Sequence, residues 1–194
     1  MTLRAGAAAV DISPTGPVAL FGYPHVERIS TGIHDPLLAS ALFLTNGSYS
    51  SVLIALDLLM LEPPVARAIR RAVASRIAAP EEAVFVSCTH THSGPVTSRL
   101  LAWQGDPTIP TPDAGYLQWV TDRAVLAAAD ARAAAIPAEL AWCTADATGV
   151  GGNRLDPQGA IDREAGILVV RPAEGGPPLA VAVEIGRASC RERV

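Results

Sequence analysis

Apolar and polar positions divide the chain into segments of two periods. Residues 5–12 alternate weakly and predict a strand, closed by Ser13-Pro14 and Gly16-Pro17. Residues 18–36 are rich in Gly and Pro and predict loop. A strand follows over 37–45, then Asn46-Gly47, the strongest short hairpin signal in the sequence. The return strand, Ser51 to Leu56, is nearly all apolar, which predicts a central position in a sheet. It ends at Asp57. Glu62-Pro63-Pro64 opens a helix in which Val65, Ile69, Val73 and Ile77 recur every fourth residue, with Arg67, Arg70 and Arg71 off that stripe. Pro80 ends it. The run Ala83-Val84-Phe85-Val86 predicts a buried strand, so residues 51–86 read as a strand, helix, strand unit.

Beyond it, residues 96–114 form a long connection containing Trp103, Gly105 and several prolines, placed to wall or cover whatever precedes it. Residues 115–135 predict an alanine-rich helix with Leu117, Val120, Ala124 and Ala128 on one face, ended by Pro137. Strands are predicted over 138–145 and 165–171. Glu174-Gly175-Gly176-Pro177 then turns into a last strand, Leu179 to Val183. The fold class is α/β: a mixed β-sheet flanked by helices.

Composition narrows the function. At 49% hydrophobic and 18% charged, the chain is too apolar to be disordered. A net charge of −4 with no basic run offers nothing to nucleic acid or an anionic membrane. No apolar run reaches the length of a membrane span. Met1-Thr2-Leu3-Arg4 leads straight into a strand with no signal peptide, which predicts a cytoplasmic protein. Three widely spaced cysteines make no disulfide framework, and Cys88 reads as a small buried hydrophobe. Residues 184–194 do not read as native protein. They hold three arginines, follow an apolar strand without a turn, and look like the translation of a sequencing adapter. The native part is therefore expected to be 1–183.

The chemistry concentrates in Ser87-Cys88-Thr89-His90-Thr91-His92-Ser93-Gly94-Pro95, which holds two of the four histidines. On extended backbone, the i, i+2 spacing puts both rings on one side, about 6.5–7 Å apart at Cα. That suits a metal ligand with a neighbouring substrate-binding histidine; a structural pair bonded to backbone is the alternative. Thr89, Thr91 and Ser93 offer hydroxyls to orient the imidazoles. Asp57, at the end of a buried strand, is either a group supporting the site or a cap for the next helix. His34-Asp35 is either a histidine oriented by a carboxylate or a capped turn. His25, after Pro24, has a surface role. Trp103 is either a contact for an apolar substrate or a packing anchor. Gly149-Val150-Gly151-Gly152-Asn153-Arg154 reads as a surface turn on its residues alone. There is no P-loop, dinucleotide fingerprint, serine nucleophile elbow or CxxC pair.

Thr89-His90-Thr91-His92-Ser93-Gly94-Pro95 after an apolar strand resembles the hallmark of the neutral/alkaline non-lysosomal ceramidases and their bacterial relatives. Other segments resemble that family in the same order: Ala5 to Pro14, Phe21-Gly22-Tyr23, Gly32-Ile33-His34-Asp35-Pro36-Leu37, Leu53 to Asp57, and Gly152-Asn153-Arg154. The resemblance implies the incomplete N-terminal part of a larger catalytic domain, from a zinc-dependent hydrolase cleaving the N-acyl amide bond of ceramide or a related lipid amide. It implies His90 as the Zn2+ ligand and His92 as the catalytic residue that hydrogen-bonds substrate or the tetrahedral intermediate. Arg154 would bind a polar part of the substrate, with Gly22, Asp57 and His34 at the substrate site. In the family the last strand runs into a His-Pro motif carrying a second ligand, and a glutamate and a tyrosine follow; none is in this sequence. The 194 residues by themselves are therefore expected to be inactive. The absence of a signal peptide departs from the family's secreted members. Two other functions remain open: a metal-dependent amidase or esterase on non-sphingolipid substrates, and a non-catalytic binding or cell-envelope module. A third reading makes His34, His90 and His92 a complete local site for another metal.

Overall fold

The computed structural model describes residues 2–23, 25–99, 106, 108–153, 156–185 and 189–190. The chain forms two compact units, Met1–Ile136 and Pro137–Val194.

The first unit contains β1 (Arg4–Asp11), β2 (Leu38–Thr45), β3 (Ser50–Leu56), α1 (Pro63–Ile77), β4 (Val84–Cys88) and α2 (Ala114–Ala133). Its strands lie in the order β4-β3-β2-β1. β1 and β3 are antiparallel to β2, and β4 is parallel to β3, so the sheet is mixed. The β2–β3 hairpin turns where expected: Asn46 Oδ1 accepts the N–H groups of Ser48 and Tyr49, and Gly47 takes φ 90°. The run from Ser51 to Leu56 is central, between β2 and β4.

A strand with one covered face buries every second residue. Ala39, Ala41 and Phe43 of β2 pair with Leu56, Ile54 and Val52 of β3, and Val52 pairs with Val84 of β4. These side chains pack against Ile69, Val73 and Ile77 of α1 and Val120, Ala124 and Ala128 of α2 in one core. The helical stripe predicted from the sequence is therefore the buried one. β4 differs from expectation. Only the face carrying Val84, Val86 and Cys88 packs on the core, so Phe85, on the other face, is 58% exposed.

α1 stops at Ile77, three residues before Pro80, because Ala78 takes the left-handed conformation at φ 52° and its N–H bonds the Ala74 carbonyl. α2 ends at Ala133. Its alanines let it lie close to β1: Ala124, Ala127, Ala128 and Ala131 have no exposed surface, and a Cβ on Gly6 would fall 2.1 Å from the Ala131 carbonyl oxygen. Asp113 caps the helix by accepting the Gly115 and Tyr116 N–H groups.

The second unit is an antiparallel meander of β5 (Ile136–Asp146), β7 (Glu164–Pro172) and β8 (Ala180–Ile185), in the order β5-β7-β8. β6 (Gly151–Gly152) pairs with β9 (Ser189–Cys190). Gly175 and Gly176 make the final turn with φ 89° and 113°. β8 continues two residues past Val183, to Ile185.

Candidate functional site

The histidine motif leaves β4 at Cys88, and its backbone continues alongside the chain that leaves β3. Thr89 N–H donates to the Leu56 carbonyl at 2.9 Å, and His90 N–H to that of Leu58 at 3.0 Å. His90 takes φ 63°, in the left-handed region. The backbone is not extended here, so strand alternation is not what brings the rings together. The turn at His90 does so instead, setting the His90 and His92 rings edge to face with centroids 5.2 Å apart.

His90 Nδ1 lies 3.0 Å from the Leu59 carbonyl oxygen. A carbonyl only accepts, so Nδ1 is the donor here and Nε2 takes no part in this bond. The orienting group is thus a backbone carbonyl. The Thr91 hydroxyl does other work: its Oγ1 accepts the Ser93 N–H at 3.2 Å.

His92 is held from the other side. The Tyr23 ring meets it edge to face with centroids 5.1 Å apart. The Arg28 guanidinium lies 4.5 Å above the Tyr23 ring and donates to the His92 carbonyl at 3.0 Å. Gly22, at φ 114°, is pressed against the imidazole; a Cβ there would fall 2.4 Å from His92 Nδ1. Phe21 N–H donates to the Gly94 carbonyl, and Phe21, Leu59, Val96 and Ile109 form a small apolar cluster beneath.

Two carboxylates fasten the surroundings. Glu62 accepts from Ser98 Oγ at 3.3 Å and Arg99 N–H at 3.0 Å, tying the segment after the motif to the start of α1. Asp106 is 3% exposed. It accepts the Thr108 N–H and hydroxyl and the His25 N–H, and its Oδ2 lies 3.1 Å from His25 Nδ1. The Thr108 bonds, and then His25, hold its carboxyl below the usual range. His25 is at the surface as expected, but bonded to a buried partner. Sequence reading missed Arg28, Glu62 and Asp106 in these roles. Only Asp106 carries a local signal, an Asp two residues before a Thr.

Asp57 caps a strand rather than a helix: its Oδ2 accepts the Leu38 N–H at 2.9 Å, and its own N–H donates to the Leu38 carbonyl. Its side chain also lines a cavity of about 850 Å³ with His34, Asp35, Thr91 and Ser93. His34 Nδ1 lies 2.8 Å from Asp35 Oδ2, with both side chains at the surface, and this bond raises the His34 pKa. Among the described residues no three His, Cys, Asp or Glu side chains converge to hold a metal, so His34, His90 and His92 do not make a complete local site. Burial pushes the Cys88 thiol up to about 11, in keeping with an inert packed cysteine. Arg154 and Trp103 lie outside the described residues. No described helix is long and apolar enough to cross a membrane.

A parallel β-α-β unit that carries a pair of interlocked histidines past its second strand, walled by a glycine-tyrosine loop, defines an α/β protein with a strand-end histidine centre. The chain belongs to the neutral/alkaline non-lysosomal ceramidase family: the model of that family's N-terminal region matches residues 3–156. The fold agrees. It is similar to neutral ceramidase from Pseudomonas aeruginosa, with a TM-score of 0.73 at 22% identity over 91% of this chain and 30% of that one. It is similar to a ceramidase complexed with C2, with a TM-score of 0.71 at 21% identity over 90% of this chain and 30% of that one. No curated protein matches the sequence. The chain thus spans about 30% of the length of the solved ceramidases it matches.

Proposed function

We propose that this chain is the N-terminal part of a zinc-dependent hydrolase that cleaves the N-acyl amide bond of ceramide or a related lipid amide. The observation that carries the reading is the His90 tautomer. With Nδ1 committed to the Leu59 carbonyl, Nε2 is the ring nitrogen left to face a metal, the arrangement a zinc-ligating histidine takes. His90 therefore fits the metal, while the described residues supply too few donors to hold it alone. A catalytic zinc takes three protein ligands and an open position, so the remaining ligands would come from the part of the parent protein beyond these residues. When bound, zinc supplies activation of water and polarisation of the amide carbonyl.

The chain's own residues do the rest. His92, fixed between Tyr23 and His90, hydrogen-bonds the reacting carbonyl of the substrate. Gly22 gives that ring its room. Asp57 and His34, on the wall of the neighbouring cavity, face polar parts of the substrate, and Arg154 is assigned to the same task by the family pattern.

The test is a matched pair of assays on an N-acyl lipid amide, one with the full-length protein and one with residues 1–194. Turnover by the full-length protein that a chelator abolishes and zinc restores, with none from the short chain, is the expected result. Chelator-sensitive turnover by the short chain would refute the divided site. A full-length protein inert on lipid amides with zinc present would refute the activity.

A further inference from the structure

Arg28 contacts both the backbone of His92 and the ring that packs on its imidazole. The 18–30 segment folds back on itself: Leu20 N–H donates to the Arg28 carbonyl at 2.8 Å, and Ser30 N–H to that of Val18 at 2.9 Å. Its inner edge runs beside the residues after the histidine motif, through Phe21 N–H to the Gly94 carbonyl and Val96 N–H to the Ala19 carbonyl. Arg28 pairs with Leu20 across that fold, and its half-buried side chain reaches the motif. There Nη1 donates to the His92 carbonyl at 3.0 Å, and the guanidinium carbon sits 4.5 Å above the Tyr23 ring.

We infer that Arg28 is a positioning residue for His92: one guanidinium fixes both the backbone of His92 and the Tyr23 ring packed against its imidazole, and so sets the geometry of the histidine pair. A charged donor on a carbonyl makes a stronger bond than a neutral one, and a cation over an aromatic face adds attraction of its own. The two contacts converge on one side chain whose planar fork is rigid. Tyr23 in turn meets the His92 ring edge to face at 5.1 Å, and His92 meets His90 at 5.2 Å. The series Arg28, Tyr23, His92, His90, Leu59 is thus a run of direct contacts ending on a backbone carbonyl. Imidazole rings rotate about two torsions, and placing one for chemistry requires its neighbours to be fixed. Charge alone does not explain the arrangement, since an arginine serving only solubility would extend into water. This inference deepens the proposed hydrolase reading by naming what orients its second histidine, but its test needs neither metal nor substrate.

The experiment is NMR of the 194-residue chain with labelled histidine side chains, at one fixed alkaline pH, comparing wild type with R28A and R28K. Backbone amide spectra report whether each variant keeps the fold. The expected result for R28A is a displaced and broadened His92 imidazole signal, with His34 unchanged and His90 moved less than His92. R28K, which keeps a cation and a donor but not the fork, should recover part of the wild-type position. If R28A does not fold, R28K decides: a His92 signal displaced from its wild-type position, with His34 unchanged, supports the inference. A His92 imidazole signal unchanged in a folded R28A, or in R28K where R28A fails to fold, overturns it. So does equal displacement of all four histidine signals, which would mark a general loosening. Failure of the zinc reading would leave these spectra as expected.

Discussion

The backbone of Gly22 and the imidazole of His92 occupy adjoining space with no room for one more carbon. A Cβ on Gly22 would fall 2.4 Å from Nδ1 and 2.6 Å from the ring carbon beside it, and the residue's φ is 114°. Gly22→Ala therefore meets two penalties, a clash and a left-handed backbone, costing on the order of 1–3 kcal/mol. The expected outcome is a lowered urea midpoint and a displaced His92 ring. Gly32, with open space around it, is the control and tolerates alanine with little change.

Removing His90 should separate the metal reading from a structural histidine pair. His90→Ala in the full-length protein is expected to weaken zinc binding by more than about 100-fold, whereas His34→Ala leaves it within about threefold. Zinc affinity by competition with a coloured chelator measures both. Equal losses in the two variants would place His34 among the ligands.

Asp106 fixes a pH dependence. Its carboxyl is held below the usual range by the Thr108 bonds and by His25. A carboxylate depressed in the folded state contributes stability above its unfolded pKa, about 3.9, and that contribution is lost as pH falls through the folded value. Urea midpoints should therefore decline on acidification below about pH 4. Asp106→Asn should start lower at neutral pH and lose less on the way down. Parallel acid profiles for the two proteins would remove Asp106 from the account.

Helix packing supplies a test of the fold itself. Gly6 of β1 lies against the end of α2, where a Cβ would come within 2.1 Å of the Ala131 carbonyl oxygen. Gly6→Ala must push the helix from the strand, at a cost of about 1–3 kcal/mol, although alanine suits a strand no worse than glycine. Thermal unfolding measures it; a neutral result would mean the helix yields freely.

Cys88 and Cys143 should differ in alkylation. The Cys88 thiol is pushed up to about 11 by burial, and Cys143 is exposed. At neutral pH, iodoacetamide is expected to label the Cys143 peptide first and leave Cys88 largely unmodified until the chain unfolds, as peptide mass mapping would show.

The sequence by itself determined the hairpin at Asn46-Gly47, the β-α-β unit and the buried stripe of α1. These follow from turn chemistry and side-chain period, interactions among residues close in the chain. It also delivered the family, because Thr89 to Pro95 is a contiguous motif. It misjudged β4, since burial of an apolar run depends on how many faces the sheet covers, and nothing local reports that. Only the tertiary structure decided the arrangement of the site. The group that fixes the His90 tautomer is a carbonyl 31 residues away, the clamp on His92 comes from 64 residues away, and Asp106 reaches across 81 residues to His25. A carbonyl leaves no trace in a sequence pattern, and one arginine among fifteen basic residues does not declare its partner. Those contacts exist because packing β3 beside β4 and folding residues 18–30 over the motif brings distant backbone to the same few ångströms.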